Sequence, residues 1–141
     1  MQRISITGDT GKLARRIRSI DYLHIIASKA AQKTVPVIEN LIKREFLYTK
    51  SPYGVKWAPL KRPTGLPPIR GLKDYFNVVS PNNVVHVGNE KFYAKFHQTG
   101  TRFMPARKFL PEGQLSPTWR DKIYKALTKA VRSGVKREGG I

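Results

Sequence analysis

A loop rich in proline and glycine separates residues of helical periodicity from residues of strand periodicity in this chain. Between Tyr48 and Gly71, five prolines and three glycines occur within 24 residues, and no apolar period continues through them. Proline fixes φ and removes a backbone donor, so neither a helix nor a central strand crosses such a stretch. We therefore predict a long loop over residues 49–71, of a length that is usually functional or mobile.

Apolar residues recur at helical spacing before this loop. The recurrence begins at Leu13, restarts after residues 19–21 and continues to Phe46. This pattern predicts a short helix, a break, and then a long helix that ends near residue 48. Pro36 lies inside the second helix and is expected to kink it or to divide it in two.

Strand-like residues follow the loop. Two β-rich runs at residues 75–80 and 84–87 are joined by Ser-Pro-Asn-Asn, and this order predicts a β-hairpin. The alternating RISIT at residues 3–7 predicts a further short strand, and residues 104–110 are expected to join the same small sheet. The chain is therefore predicted to be a single α+β domain over residues 1–141, with long helices packed on a mostly antiparallel sheet.

The C-terminal part of the chain predicts an amphipathic helix. Ser116 and Pro117 suit the N-cap and the first helical position, and Gly134 suits the C-terminal end, before a flexible tail at residues 135–141. One face carries the apolar residues Trp119, Ile123, Leu127, Ala130 and Val131. The other face carries the basic residues Arg120, Lys122, Lys125, Lys129 and Arg132, which are candidates for contact with DNA.

Positive charge dominates the composition. The chain contains 27 Lys and Arg against 9 Asp and Glu, a formal net charge of +18. This excess predicts an acidic partner, either nucleic acid or a negatively charged protein surface, and it does not choose between them. Since no helix-turn-helix, zinc-finger or RNP signature occurs, any nucleic-acid contact is expected to be independent of sequence. Four aromatic residues are candidates for stacking on bases or for packing in the core: Tyr48, Tyr53, Trp57 and Tyr75.

The residues needed for most catalytic and metal sites are missing from the sequence. Cysteine is absent, and His24, His86 and His97 are predicted on a helix, a strand and a loop without the spacing of metal ligands. The glycines near residues 8–12 lack the spacing of a phosphate-binding loop. We therefore expect no enzymatic activity and no cofactor. No apolar run is long enough to span a membrane, and the first ten residues do not resemble a signal peptide, so the cytoplasm is the expected site of synthesis.

The segment from Tyr93 to Pro111 is predicted to be structural rather than catalytic. Its two prolines, Pro105 and Pro111, fix an extended course between them, and Arg107 offers a forked donor for carboxylate or carbonyl oxygens. His97 and Gln98 are expected to hold this segment by hydrogen bonds. Gly100 is expected to allow a positive φ or a close approach of the backbone.

Four segments in order resemble the phage virion morphogenesis family, the tail completion proteins of Mu-like and P2-like tailed phages. They are YGVKWAPL from Tyr53, GLKDYFNVV from Gly71, VVHVGNEKFYAKFHQTG from Val84 and MPARKFLP from Met104. The first is similar to the family's Gly-x-x-Trp-x-Pro-Leu, the third to Tyr-Ala-x-x-His-Gln-x-Gly, and the last to Pro-Ala-Arg-x-Phe-Leu. The resemblance covers residues 11–131, with a shorter linker between the first two segments.

The resemblance implies a structural virion protein without enzymatic activity. It implies a homo-oligomeric ring, six-fold or twelve-fold, that joins tail to head in the virion neck, contacts neighbouring connector and tail proteins, and is assembled in the host cytoplasm. A nucleic-acid-binding protein without sequence preference is the alternative. Contacts with partners or between subunits are expected at Trp57, Leu60, Met104, Pro105, Arg107, Phe109 and Leu110.

Overall fold

The computed structural model describes residues 10–61 and 69–138, so the predicted strand at residues 3–7 lies outside the described part. The elements are α1 (Thr10–Tyr48), a 3-10 helix (Arg70–Tyr75), β1 (Phe76–Val79), β2 (His86–Asn89), α2 (Ala94–Thr99) and α3 (Pro117–Glu138). Helices α1 and α3 pack along each other, and the β1–β2 sheet packs against α1. The predicted α+β class, with two long helices on a small antiparallel sheet, is confirmed.

Helix α1 is a single helix of 39 residues, so the predicted break at residues 19–21 is wrong. The hydroxyl of Ser19 donates to the carbonyl of Arg16 at 2.8 Å, within the same helix. Ser19 and Asp21 are both exposed. Polar side chains on an exposed face interrupt the apolar pattern without interrupting the backbone hydrogen bonds, and the pattern alone therefore suggested two helices.

Pro36 does not divide α1. Its side chain is exposed, while buried residues hold the helix on both sides of it: Thr34 is 2% exposed and Ile38 is 7% exposed. A proline costs a helix one backbone hydrogen bond and some strain. Packing on both sides of Pro36 offsets that cost, so tertiary contacts override the local preference.

The sheet is one hairpin. Strands β1 and β2 pair antiparallel, with Phe76 opposite Asn89 and Val79 opposite His86. The predicted hairpin is confirmed, although its second strand starts two residues later than predicted. The predicted third strand at residues 104–110 is wrong, since only an isolated bridge between Thr101 and Met104 forms there. Proline at position 105 has no amide hydrogen for a sheet ladder.

Helices α1 and α3 run antiparallel and approach each other closely at Gly134. At one end Trp119 bonds to Glu45, and at the other the hydroxyl of Tyr22 donates to the carbonyl of Val135 at 3.4 Å. A Cβ atom on Gly134 would lie 3.3 Å from two side-chain carbons of Ile26. Gly134 therefore permits helix contact and does not end the helix, so its predicted role as a stop is wrong.

The N-cap of α3 is as predicted. The Ser116 hydroxyl accepts the amide hydrogen of Trp119 at 3.3 Å, and Pro117 occupies the first helical position. The helix includes residues 135–138, which the sequence had assigned to the C-terminal tail.

Aromatic rings form the centre of the core. The ring of Phe46 lies 5.2 Å from Trp57, 5.6 Å from Phe76 and 5.7 Å from Phe109, measured between centroids. These side chains come from α1, the proline-rich loop, β1 and the segment before α3. Such contacts contribute beyond the burial of their area, so one cluster joins four separate parts of the chain.

None of the helices in the described residues has the length and apolar content needed to cross a lipid bilayer.

Gly134→Leu tests the close approach of the two long helices. The added side chain has no room beside Ile26, so we expect the free energy of unfolding to fall by about 1–3 kcal/mol, measured by urea denaturation. Ser133→Leu is the control, because Ser133 is exposed on the next position of the same helix. We expect that change to stay within about 0.5 kcal/mol. Equal effects of both substitutions would contradict the close packing at Gly134.

Candidate functional site

The side chain of Arg107 joins two distant segments of the chain. It is 4% exposed, and its Nε and Nη2 atoms donate to the carbonyls of Ala58 and Pro59 at 2.8 and 3.0 Å. A buried charge is costly unless it is hydrogen-bonded, and hydrogen bonds from a charged donor are stronger than neutral ones. The predicted forked donor is therefore confirmed, and both of its acceptors belong to the same chain.

Trp57 links the same two segments from the opposite side. Its indole Nε1 donates to the carbonyl of Lys108 at 2.8 Å, and the side chain is 5% exposed. Arg107 thus donates to the carbonyls of residues 58 and 59, while the carbonyl of Lys108 accepts a hydrogen bond from Trp57. These reciprocal hydrogen bonds fix the proline-rich loop against the segment before α3, and we call them the loop clamp.

Gln98 holds the other edge of that segment. Its Oε1 accepts the amide hydrogens of Phe109 and Leu110 at 3.0 and 3.1 Å, and its Nε2 donates to the carbonyl of Leu110 at 2.8 Å. One amide side chain thus satisfies backbone groups that a neighbouring strand would otherwise satisfy. The hydrogen bonds expected of Gln98 are thus present, and they join it to Phe109 and Leu110.

Gly100 allows the chain to turn back between α2 and residues 107–110, which we call the clamped segment. Its φ is +77°, and a Cβ atom there would lie 2.9 Å from the backbone nitrogen of Ala106. Both reasons predicted for a glycine, positive φ and close approach, are present. Beside this turn the amide of Arg107 donates to the carbonyl of His97 at 2.7 Å.

The residues predicted to contact partners divide into two groups. Trp57, Arg107 and Phe109 are 5%, 4% and 2% exposed, so in this conformation they pack inside their own chain. Leu110 and Met104 are half-buried, whereas Leu60 and Pro105 are exposed. The aromatic and guanidinium groups that suggested an interface thus build the core, and for the more exposed residues the interface remains a prediction.

His97 lies in α2, so its predicted place in a loop is wrong. Its Nδ1 atom is buried without a hydrogen-bond partner, and its ring packs against Tyr93 at 6.1 Å between centroids. Burial, and secondly the positive charge of Arg107, lower the pKa of His97 below its usual value. The imidazole is therefore neutral near pH 7, and only its backbone carbonyl contributes to holding the segment.

Glu45 is a buried acid that the sequence analysis missed. It is 5% exposed, and it accepts a hydrogen bond from Trp119 Nε1 at 3.1 Å. Burial raises the pKa of Glu45, while the bond to Trp119 and the charges of Arg44 and Lys50 oppose that rise. The signal available in the sequence was its spacing, since Glu45 follows Leu41 and Ile42 by four and three residues and so falls on the apolar face of the helix.

The described residues contain no cluster of three or more His, Cys, Asp or Glu side chains that could hold a metal ion. The two side chains with burial-shifted pKa values also have separate surroundings: Glu45 bonds to Trp119, and His97 packs on Tyr93. General acid–base chemistry needs such groups within reach of one substrate.

The predicted basic residues of α3 are all exposed, but they do not share one face. Spacings of three and four residues place Lys122, Lys125, Lys129 and Arg132 in one stripe, which we call the basic stripe. Arg120 falls on another side of the helix. Lys125 pairs with Asp121 at 3.1 Å, but both side chains are largely exposed, so this pair stabilises little. Arg44 of α1 borders the same surface as Lys122 and Lys125.

A second exposed surface, missed in the sequence, surrounds α2. Phe92 is 79% exposed and Phe103 is 78% exposed, whereas Tyr93 and Phe96 are 37% and 38% exposed. Nearby cations cover some of these rings: Lys95 lies 5.0 Å from the ring of Phe96, and Arg102 lies 5.8 Å from that of Phe103. The signal available in the sequence was the spacing of four residues between Phe92 and Phe96, which places two aromatic side chains on one face of a helix.

No protein-family model matches the chain, and neither curated proteins nor solved structures gave a match.

Gln98→Ala tests whether this side chain holds the clamped segment. The substitution leaves two amides and one carbonyl without their partner, so we expect the free energy of unfolding to fall by about 1–3 kcal/mol. Urea denaturation gives the measurement. Gln114→Ala is the matched control, because Gln114 is exposed and close in sequence to the same segment. If both variants unfold like the parent, the segment does not depend on Gln98.

The lowered pKa of His97 predicts how the free energy of unfolding depends on pH. Its pKa is lowered from 6.5 in the folded chain, so below pH 6.5 the unfolded state binds protons more readily. The free energy of unfolding therefore falls as the pH drops from 6.5 towards the folded-state pKa, and above 6.5 this group contributes no change. Urea titrations from about pH 7.5 to about pH 5 measure it. His97→Gln is expected to remove this contribution to the pH dependence. His86→Gln, at an exposed residue, is expected to retain it.

Proposed function

We propose that the chain is a structural virion protein of a tailed phage, a tail completion component that joins tail to head as part of a ring at the neck. It has no enzymatic role in this proposal. The support comes from the order of the four resembling segments in the sequence and from the position of their residues in the fold.

One observation carries the proposal: the first and last resembling segments form the loop clamp, and the other two contact the same clamped residues. The first segment supplies Trp57 and the carbonyls of residues 58 and 59, the third supplies Gln98, and the last supplies Arg107 and Phe109. The second supplies Phe76, whose ring lies 5.3 Å from that of Phe109. All four resembling segments thus supply residues that hold the fold, as we expect of a protein that acts through its shape and its contacts rather than through a reaction.

The surface is consistent with a position around a DNA channel. Lys122, Lys125, Lys129 and Arg132 project from one side of α3, where phosphates of a passing genome would meet positive charge. Such contacts are independent of base sequence, and they weaken with salt as counterions compete. Loose contact is required, because tight binding at a neck would oppose passage of the genome.

The alternative is a protein whose main partner is nucleic acid, and the same basic stripe favours it. Trp57 is 5% exposed, so it is not a stacking platform for bases in this conformation. Tyr53 is 44% exposed, but its hydroxyl is bonded to the backbone of residues 112 and 114. Stacking on bases is therefore disfavoured at these two of the four predicted aromatics, whereas Tyr48 and Tyr75 are 59% and 38% exposed.

A joining assay tests the neck assignment. In the tailed phage that encodes this chain, inactivating its gene should yield filled heads and separate tails, and adding the purified protein should restore joined particles. Electron microscopy counts the three kinds of particle. Normal joining without the protein would overturn the proposal.

Two charge variants separate the neck role from the nucleic-acid role. The stripe variant changes Lys122, Lys125, Lys129 and Arg132 to Gln, and the control changes four other exposed lysines to Gln: Lys33, Lys43, Lys56 and Lys73. Both lose four charges. We expect affinity for a random duplex to fall more in the stripe variant, and the slope of log K against log salt to shrink by about 0.9 for each phosphate contact removed. Sequence-selective binding that resists salt would favour the alternative.

A further inference from the structure

A ridge of aromatic side chains stands out from α2 and the residue pair before it. Phe92, Tyr93 and Phe96 lie at spacings of three and four residues, on the side of this short helix away from the buried Ala94. Phe92 is 79% exposed. Soluble chains seldom leave several neighbouring large apolar side chains in water without a partner, so this aromatic ridge needs an apolar receptor.

An apolar recess lies where α1, the hairpin and α3 meet. Its wall includes Ile38, Val85, Val87, Leu115, Ile123 and Leu127, and it encloses about 380 Å³. An apolar cavity of about 150 Å³ is enough to hold one benzene molecule. The recess therefore has room for aromatic rings of the size that the ridge presents.

Charge decides which partner fits these two surfaces. The chain carries +18, so a second copy is repelled wherever two basic surfaces meet. The lining of the recess contains no Lys, Arg, Asp or Glu among the described residues. Lys91 and Lys95 lie beside the aromatic ridge. When the ridge of another copy enters the recess, these two lysines meet no cation of the recess lining. An acidic partner would gain nothing from an uncharged recess.

We propose that the aromatic ridge of one copy docks in the apolar recess of the next. The ridge and the recess are different residues, so the contact is head-to-tail, and such contacts close into rings or continue as filaments. In the proposed ring this would be the contact between neighbouring subunits. Only the closure of the contacts into a ring rests on the proposed function. Because the attraction is apolar and the background is repulsive, added salt strengthens association, whereas contact with nucleic acid weakens.

Sedimentation velocity on the nuclease-treated chain tests the contact, over a range of protein concentrations and from low to high salt. We expect species larger than the 16.0 kDa monomer, with a fraction that rises with salt. Phe92→Ser combined with Phe96→Ser should weaken association at least about ten-fold, since a few central apolar side chains carry most of an interface. Leu115→Lys in the recess should weaken it to a similar extent, because it sets a cation against Lys91 and Lys95 of the docking ridge. Tyr124→Ser is the control, because Tyr124 is 68% exposed on α3 outside both surfaces.

Mixing the two variants tests the head-to-tail geometry. Each lacks one half of the contact, so the mixture should form dimers with one intact junction and nothing larger. A parent chain that stays monomeric at every salt, association that falls with salt, or ridge variants that associate normally would each overturn the inference. The joining assay is read separately: normal self-association without head–tail joining counts against the proposed function, and joining restored fully by the ridge variant counts against the ridge contact.

Discussion

The buried guanidinium of Arg107 is the constraint on which the rest of the fold depends. A cation that is 4% exposed must find strong acceptors, and here the carbonyls of Ala58 and Pro59 supply them. Those carbonyls are available because residues 57–60 belong to no helix or strand. The loop is therefore fixed where its backbone meets Arg107, and Trp57 enters the core as a consequence.

The small sheet follows from the same arrangement. In many α+β domains a third strand would cover the exposed side of a hairpin, and residues 104–110 have the extended course to serve as one. Here their backbone groups are satisfied by the side chain of Gln98, the amide of Arg107 bonds to His97, and the rings of Phe109 and Phe76 pack together. Side chains replace a strand ladder, which leaves a two-stranded sheet and a core where aromatic rings pack with aliphatic side chains.

The sequence predicted the elements whose signal is local, and missed those decided by contact between distant residues. The cap at Ser116, the hairpin, the special backbone at Gly100 and the forked donor at Arg107 each follow from the chemistry of one or a few neighbouring residues. The continuity of α1 at Pro36 and the helical conformation of Gly134 depend on packing between distant residues, which no local pattern contains. For the same reason Trp57 and Phe109 resembled interface residues, because an aromatic anchor looks alike in a core and at an interface.

Acids are few in this chain, nine against 27 Lys and Arg, and three of those in the described residues bond to other side chains, so most of the positive charge is left for other molecules. Glu45 accepts a bond from Trp119, Glu112 pairs with Lys108 at 2.7 Å, and Asp121 pairs with Lys125. Most cations therefore have no internal counter-charge to draw on, given 27 against 9. Attraction to phosphates and repulsion between copies arise from the same excess and respond to salt in opposite directions. Copies of such a chain repel each other least where at least one of the meeting surfaces is uncharged, while the exposed basic stripe attracts an anionic neighbour.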